Sequence, residues 1–341
     1  MKRLCSLLLL AALLLTACSA APQTPKQYTA TFLTLFDTVT TVTGFAESEE
    51  AFREISQGIH DGLLEYHRLF DVYREYDGLN NLKTVNDQAG IAPVEVDGRI
   101  IDLLKDCRRY CELTDGAVNA AMGSVLQLWH EARNDSLDNP LHAYLPEPAA
   151  LEAAAVHTDF SSMILDEEAS TVYLSDPAMR LDVGAIAKGW AAQAVAETAP
   201  SGLLISVGGN VCATGPKTED GMPWVVGIRD PAGSADDYLH TLYVSGGCVV
   251  TSGDYQRVFT AEGQTWHHII DPATLYPSTH WRSVTIVCDD SGLADALSTA
   301  LFVLPMEEGQ ALLDRCGAEA LWVDTEGGKF YSPGFSALLR T

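Results

Sequence analysis

From Met163 onward the chain is written in short β-rich runs separated by Gly, Pro or Asp, and this succession limits the fold more than any other feature. Met163–Leu165 and Val172–Leu174 flank an acidic turn and read as a hairpin. Leu203–Val207, Val211–Thr214, Trp224–Ile228, Leu239–Val244, Val249–Ser252, Val258–Ala261 and Val284–Cys288 follow, with two more runs at 320–325 and 329–332. Helical patterns interrupt them at 185–198, 292–304 and 306–315. Strands in a row with few helices between them predict an α+β protein with a largely antiparallel sheet, not a doubly wound one. Neither a GxGxxG nor a Walker A loop occurs, so neither common nucleotide fold is supported.

The first half is more helical. Residues 28–45 alternate as a strand does, with a kink at Phe36-Asp37-Thr38. Phe52, Ile55, Ile59, Leu63, Tyr66 and Phe70 lay one apolar stripe along a helix at 49–70. Tyr73 to Asn86 is polar and reads as a loop. A second helix spans 98–113, and Thr114-Asp115-Gly116 stops it. Residues 134–148, with two prolines, read as an exposed excursion.

Lys2 and Arg3 precede an apolar run, Leu7–Leu15, too short to span a bilayer and suited to a signal-peptide core. Leu15-Thr16-Ala17-Cys18 resembles a lipoprotein cleavage box. The expected layout is a signal peptide over 1–17, a tether over 18–27 and one domain over 28–341. Cys18 would be the lipidated N-terminus, on the extracytoplasmic face of the cell membrane. A net charge of −25, from 46 acids against 21 bases, leaves nothing to neutralise a run of phosphates and argues against nucleic acid. Cys107 and Cys111 share a helix face, while Cys212, Cys248 and Cys288 sit in apolar runs as buried thiols. No CxxC occurs, so zinc is not expected.

Several stretches could carry chemistry. Asp182-Val183-Gly184-Ala185-Ile186-Ala187-Lys188-Gly189 reads as a strand end, a tight turn and a helix start. Gly184 would let the backbone approach a ligand or take a positive φ. The helix start and Lys188 favour an anion, and Asp182 offers an acceptor. The same residues also fit a plain strand–helix turn. Asp295 and Thr299 share a helix face and offer hard oxygens of the kind Mg²⁺ takes. They also fit an Asp near a helix start with a Thr bonded back to its own chain. His267-His268-Ile269-Ile270-Asp271-Pro272 reads as a strand running into a turn, whose His could stack on a ring or accept a proton. Ser206-Val207-Gly208-Gly209-Asn210 and Thr251-Ser252-Gly253-Asp254-Tyr255 are turns or places where backbone meets a ligand, with Tyr255 available for stacking.

Taken in order, the lipobox, Phe36-Asp37-Thr38, Thr114-Asp115-Gly116-Ala117, Asp182…Lys188-Gly189, Val207-Gly208-Gly209-Asn210, Thr251-Ser252-Gly253, His268…Asp271-Pro272 and Ala294-Asp295-Ala296…Thr299 resemble the FAD:protein FMN transferases, the ApbE family. The resemblance covers about residues 30–335. It implies a T-fold-like architecture that binds FAD and Mg²⁺, cleaves the FAD diphosphate and joins FMN to a Thr or Ser hydroxyl of a target protein with release of AMP. By motif position, the Ala185 carbonyl, Asp295 and Thr299 would hold the metal. Phe36, Tyr73, Ala117, Val118, Asn119, Asp182, Lys188 and His268 would contact the flavin nucleotide. Lys188 would assist at the phosphates, with His268 as the catalytic base and Asp271 as a weaker candidate. The partner would be an electron-transport subunit or an extracellular reductase. This chain has Phe36-Asp37-Thr38 where the family often has Met-Gly-Thr, Ala117-Val118-Asn119 for Ala-Phe-Asp, and Leu275 where Gly is common. An FAD pyrophosphatase giving FMN and AMP, and a non-catalytic FAD-binding lipoprotein, fit the same motifs.

Overall fold

The computed structural model describes residues 24–234 and 237–340; the expected leader, with Cys18, lies outside them. The strand expected over 28–45 is a hairpin. β1 (Lys26–Leu35) and β2 (Thr38–Ala46) are joined by Phe36 and Asp37, with left-handed φ of 52° and 51°. The kink is thus a two-residue turn whose twist matches the strands it joins. Because β1 starts at Lys26, the end of the expected tether is already sheet. Two non-glycine residues in that turn are strained. Asp37→Gly should therefore raise stability by roughly 0.5 kcal/mol, read as a higher urea midpoint at unchanged slope. The side chain lost makes only an exposed 3.6 Å pair with Arg74, which is worth little.

Helix α1 (Glu49–Phe70) has the expected bounds, with the Ser48 hydroxyl accepting from Ala51 N and Glu49 and Glu50 in the first turn. The expected loop at 73–86 contains the start of a short helix, α2 (Leu82–Asp87), which Asn81 and Thr84 cap reciprocally. A short β3 (Val94–Glu95) precedes α3 (Gly98–Leu113), capped by Asp97. The expected 134–148 excursion is shorter than predicted. It is flanked by α4 (Gly123–Asp138) and α5 (Pro148–Ala155), neither of which was anticipated. β4 (Met163–Asp166) and β5 (Thr171–Leu174) form the predicted hairpin. After α6 (Ala187–Thr198) come β6 (Leu203–Val207), β7 (Asn210–Ala213), β8 (Trp224–Arg229), β9 (Tyr238–Val244) and β10 (Gly247–Gly253). β11 (Phe259–Ala261), β12 (Gln264–Trp266) and β13 (Trp281–Cys288) precede α7 (Ser291–Val303) and α8 (Met306–Cys316), and β14 (Glu319–Asp324) and β15 (Lys329–Tyr331) close the fold.

The main sheet has eight strands in the order β1-β2-β6-β7-β10-β13-β14-β15, and every neighbouring pair is antiparallel. The fold is α+β, as predicted. Both faces of the sheet are covered. Ile205, Val250, Ile286 and Trp322 pack with α1, α6 and α7. The alternate residues Val249, Leu321 and Val323 pack against Trp224, Val226 and Leu242 of the β8–β9 hairpin. Double coverage explains why these strands read as continuous apolar runs rather than as an alternation. Helix α7 is buried almost all round, which is why small alanines alternate with leucines along it. Cys107, Cys212 and Cys248 are buried free thiols; Cys111, Cys288 and Cys316 are free and half-buried. Among the described residues no helix is long and apolar enough to cross a membrane.

Candidate active site

One cleft gathers the β1–β2 turn, the β6–β7 turn, the end of β10, the start of α6 and the middle of α7. Phe36, Tyr73, Ala117, Val118, Asn119, Asp182, Ala185, Lys188, His268, Asp295 and Thr299 all line it.

The floor is set by the approach of α6 to α7. Gly189 is the contact point: a Cβ there would lie 2.2 Å from the Ser291 carbonyl oxygen and 2.5 Å from Asp295 Cβ. Its N–H, in the first turn of the helix where no intrahelical acceptor exists, donates to Asp295 Oδ2 at 2.9 Å. That bond anchors a carboxylate only 3 % exposed; the Ala185 carbonyl precedes the helix and has no backbone donor among the described residues. Asp295 is therefore held by the neighbouring helix; the helix-start cap of α7 is Asp290, which accepts from Leu293 N. Lys188 Nζ sits 3.4 and 3.5 Å from the two Asp295 oxygens and 3.2 Å from the Gly184 carbonyl. These distances are long for a charge-assisted pair, so the ammonium is loosely held.

The approach to α6 differs from the sequence reading. Residues 181–183 are not a strand. Asn86, buried, accepts from Leu181 N and donates to Leu181 O, while Asp182 N donates to the Ala120 carbonyl. Gly184 has no left-handed φ; its N–H donates to Asp182 Oδ1 at 2.8 Å. The helix start is also less open to an anion than expected. Ile186 N and Ala187 N both donate to the Val183 carbonyl, and Gly189 N is taken by Asp295.

The upper wall is aromatic and basic. The rings of Tyr73 and His130 stack 4.5 Å apart at 18°, and the Tyr73 hydroxyl reaches Asp182 Oδ2 at 3.4 Å. Burial and the Asp182 carboxylate push the Tyr73 phenol well above its usual range. Phe36 lies edge-on to His67, whose Nδ1 accepts from Phe36 N. His130, Arg133 and Arg257 also line the cleft and were not anticipated. The first two stand on α4, whose Val125, Trp129, Ala132 and Ser136 are buried at helical spacing. That spacing was the available signal. Asn210, 1 % exposed, faces the cleft with its Nδ2 unpartnered.

The two neighbouring histidines are not on a strand, since β12 ends at Trp266. His267 is fully used: its Nε2–H donates to the Ser278 carbonyl and its Nδ1 accepts from Ile269 N. His268 donates Nδ1–H to the Gln256 carbonyl at 3.1 Å, which leaves the Nε2 lone pair free. Burial, then Arg257 and Lys188, push its pKa down to about 3, well below the ordinary histidine value. Asp271 is outside this cleft, in a neighbouring groove. It accepts from Ala273 N as a turn residue, which removes it as a second candidate base. Tyr255 does not line the cleft either; it packs under the Arg229 guanidinium.

The donor set is consistent with a hard cation. Ala185, Asp295 and Thr299 line one cleft, and the carbonyl, carboxylate and hydroxyl oxygens they carry are donors of the kind that suits Mg²⁺. Among the described residues no group of three His, Cys, Asp or Glu side chains could hold a metal by itself. Any ion here would take its remaining oxygens from water or a bound ligand.

The profile of the ApbE family matches residues 36–322. An FAD:protein FMN transferase of Treponema pallidum is 39 % identical over 260 residues, covering 71 % of this chain and 70 % of that protein. The enzyme of the same name from Escherichia coli K12 is 27 % identical, covering 97 % and 96 %. In three dimensions, an ApbE protein of Thermotoga maritima superposes with a TM-score of 0.81 at 30 % identity, over 93 % of this chain and all of that one. A flavin transferase of Vibrio cholerae has a TM-score of 0.74 at 21 % identity over 93 % of this chain and all of that one, which speaks to the fold alone.

Proposed function

The chain belongs to the ApbE family, and we propose that it carries FMN from FAD to a Thr or Ser hydroxyl of an acceptor protein, releasing AMP with the help of Mg²⁺. It is an FAD:protein FMN transferase. The observation that carries the finer reading is the bond from Gly189 N–H, which fixes the Asp295 carboxylate in the cleft that Ala185 and Thr299 also line. Those three groups would hold the ion, which when bound supplies Lewis-acid stabilisation to diphosphate oxygens.

The remaining chemistry belongs to the side chains. The acceptor oxygen attacks the FMN phosphorus, and the bond from that phosphorus to the bridging oxygen breaks. AMP leaves with the bridging oxygen. Lys188, loosely held, can turn toward the charge that builds on these phosphates. The acceptor's proton goes to His268 Nε2. With only protein groups around it that nitrogen is neutral and weakly basic; a diphosphate beside it would raise its basicity. Tyr73 and His130 offer a ring platform. The acceptor is proposed to be an electron-transport subunit or an extracellular reductase. Cys18 is proposed as a lipid anchor on the extracytoplasmic face, so Cys18→Ser should move the protein from the membrane fraction to the soluble one.

One incubation with FAD, Mg²⁺ and a candidate acceptor tests the activity. AMP together with covalently fluorescent acceptor supports transfer. AMP alone would make the protein a pyrophosphatase, and bound FAD without AMP a binding protein.

The histidine makes a separate prediction. Unfolded His268 titrates near 6.5 and folded His268 near 3, so its neutral burial costs stability as pH falls from 6.5 toward 3. By pH 5 the cost is about 2 kcal/mol. His268→Gln should therefore gain that much on the wild type between pH 7 and pH 5 in urea unfolding without FAD. Parallel curves for the two proteins would refute the assignment.

A further inference from the structure

We propose that Arg133 and Arg257 form a two-guanidinium clamp for a phosphate group of the bound nucleotide, additional to Lys188 and the Asp295 cradle. The inference rests on this cleft being a nucleotide site, not on the transfer step. Both residues line the cleft. Several arginines of this acidic chain find carboxylates: Arg99 pairs with Glu65 and Asp97, Arg109 with Asp106, and Arg282 with Asp254. Among the described residues these two do not. The Arg133 guanidinium reaches only Asn134 Oδ1 at 3.2 Å, and its buried Nε has no partner. The Arg257 guanidinium reaches only the Phe36 carbonyl, at 3.3 Å.

Among the described residues neither has a carboxylate partner, in a chain with 46 acids and 21 bases; for half-buried Arg133 that is costly unless an anion completes it, while exposed Arg257 stands at the same cleft free to meet one. Burial, and then the charge of Arg257, hold Arg133 below the ordinary arginine range, as expected of like charges placed close together. The local structure aims both. Arg257 has a left-handed φ of 46° in the turn after β10, beside the Gln256 carbonyl that holds His268. Arg133 lies one helical turn beyond His130, whose ring stacks on Tyr73. A flat ring platform next to two planar, fork-shaped donors matches a nucleotide's base or flavin and its phosphate.

The test measures dissociation constants for FAD, FMN, AMP and riboflavin without added metal, in wild type, Arg133→Met, Arg257→Met and the double variant. Methionine keeps an apolar stem and removes the charge. Each single change should weaken FAD binding roughly 10- to 100-fold and leave riboflavin within about twofold. AMP weakening in parallel assigns the clamp to the adenylate phosphate; FMN weakening instead assigns it to the flavin phosphate. Both results support it. Unchanged FAD affinity in the double variant, or an equal loss for riboflavin, overturns it, the latter because the arginines would then be shaping the cleft rather than holding an anion. The acceptor assay keeps the two readings apart. A wild type that transfers no flavin leaves the clamp standing, whereas wild-type transfer with unaltered FAD binding in the double variant removes only the clamp.

Discussion

Asp295→Ala should lower flavin transfer on the order of a thousandfold or more, with AMP release and covalent labelling of the acceptor falling together. The size follows from the environment of the carboxylate. Asp295 is 3 % exposed, yet its oxygens meet only one short hydrogen bond, from Gly189 N, and an ammonium at 3.4 and 3.5 Å. A buried charge compensated so thinly is costly, and the proposed divalent cation, if held by Asp295 with Ala185 and Thr299, would complete it better than Lys188 does. Removing the carboxylate takes away the one fixed negative charge in that donor set, and several kcal/mol of transition-state stabilisation with it. The alanine variant also strands Gly189 N, so lost activity alone would not separate chemistry from folding. Asp295→Asn makes the separation, because an amide oxygen still accepts from Gly189 while the charge is gone. Its melting temperature should stay near that of the wild type and its transfer should fall nearly as far as the alanine variant's. Full transfer by Asp295→Asn at ordinary Mg²⁺ would remove the cation cradle from the account.

What the sequence disclosed and what it hid divide along a physical line. Features fixed by near neighbours were legible. The apolar stripe of α1, the buried strands of the main sheet and the order of turn motifs each depend on spacings of a few residues, and the structure places them as expected. Features fixed by distant partners were not. Residues 181–183 look like the end of a strand, but their backbone partners are the Asn86 side chain and the Ala120 carbonyl. His267 and His268 look like strand residues, but the carbonyls of Ser278 and Gln256 pull them out of any ladder. Two departures from the family pattern have a conformational meaning no local reading could supply: Asp37 and Leu275, where the family often has glycine, both carry left-handed φ. Leu275 packs beside Trp129 and Trp266, so apolar contact offsets its strain; exposed Asp37 has no such compensation. Arg133 and Arg257 were invisible for a simpler reason. A lone arginine on a helix and another in a turn mean nothing until the fold brings them to one cleft.

Gly189→Ala should both destabilise the protein and abolish transfer, because it adds a methyl group where two helices leave no room for one. At Gly184, which the sequence made the prominent glycine, a Cβ would approach only the Asp182 Oδ1 atom, at 3.0 Å, and the residue is exposed. At Gly189 the nearest atom, 2.2 Å away, is the backbone oxygen of Ser291, and Asp295 Cβ follows at 2.5 Å. Backbone cannot rotate aside as a side-chain tip can, so α6 and α7 must separate. Helix α7 has nowhere to go, since it is packed on β10 and β13 on its other side. Overpacking of this kind costs roughly 3 kcal/mol, and it acts on the one contact that also positions the chemistry. As the helices part, Gly189 N–H loses Asp295, and the carboxylate loses the one short hydrogen bond that fixes it in the cleft beside Ala185 and Thr299. The expected result is a lower urea midpoint together with loss of transfer that persists at low temperature, where the variant is still folded. Gly184→Ala, measured beside it, should cost less than about 1 kcal/mol. If Gly189→Ala instead melted with the wild type and transferred flavin normally, the close approach of α6 to α7 could not be what holds Asp295 opposite Ala185.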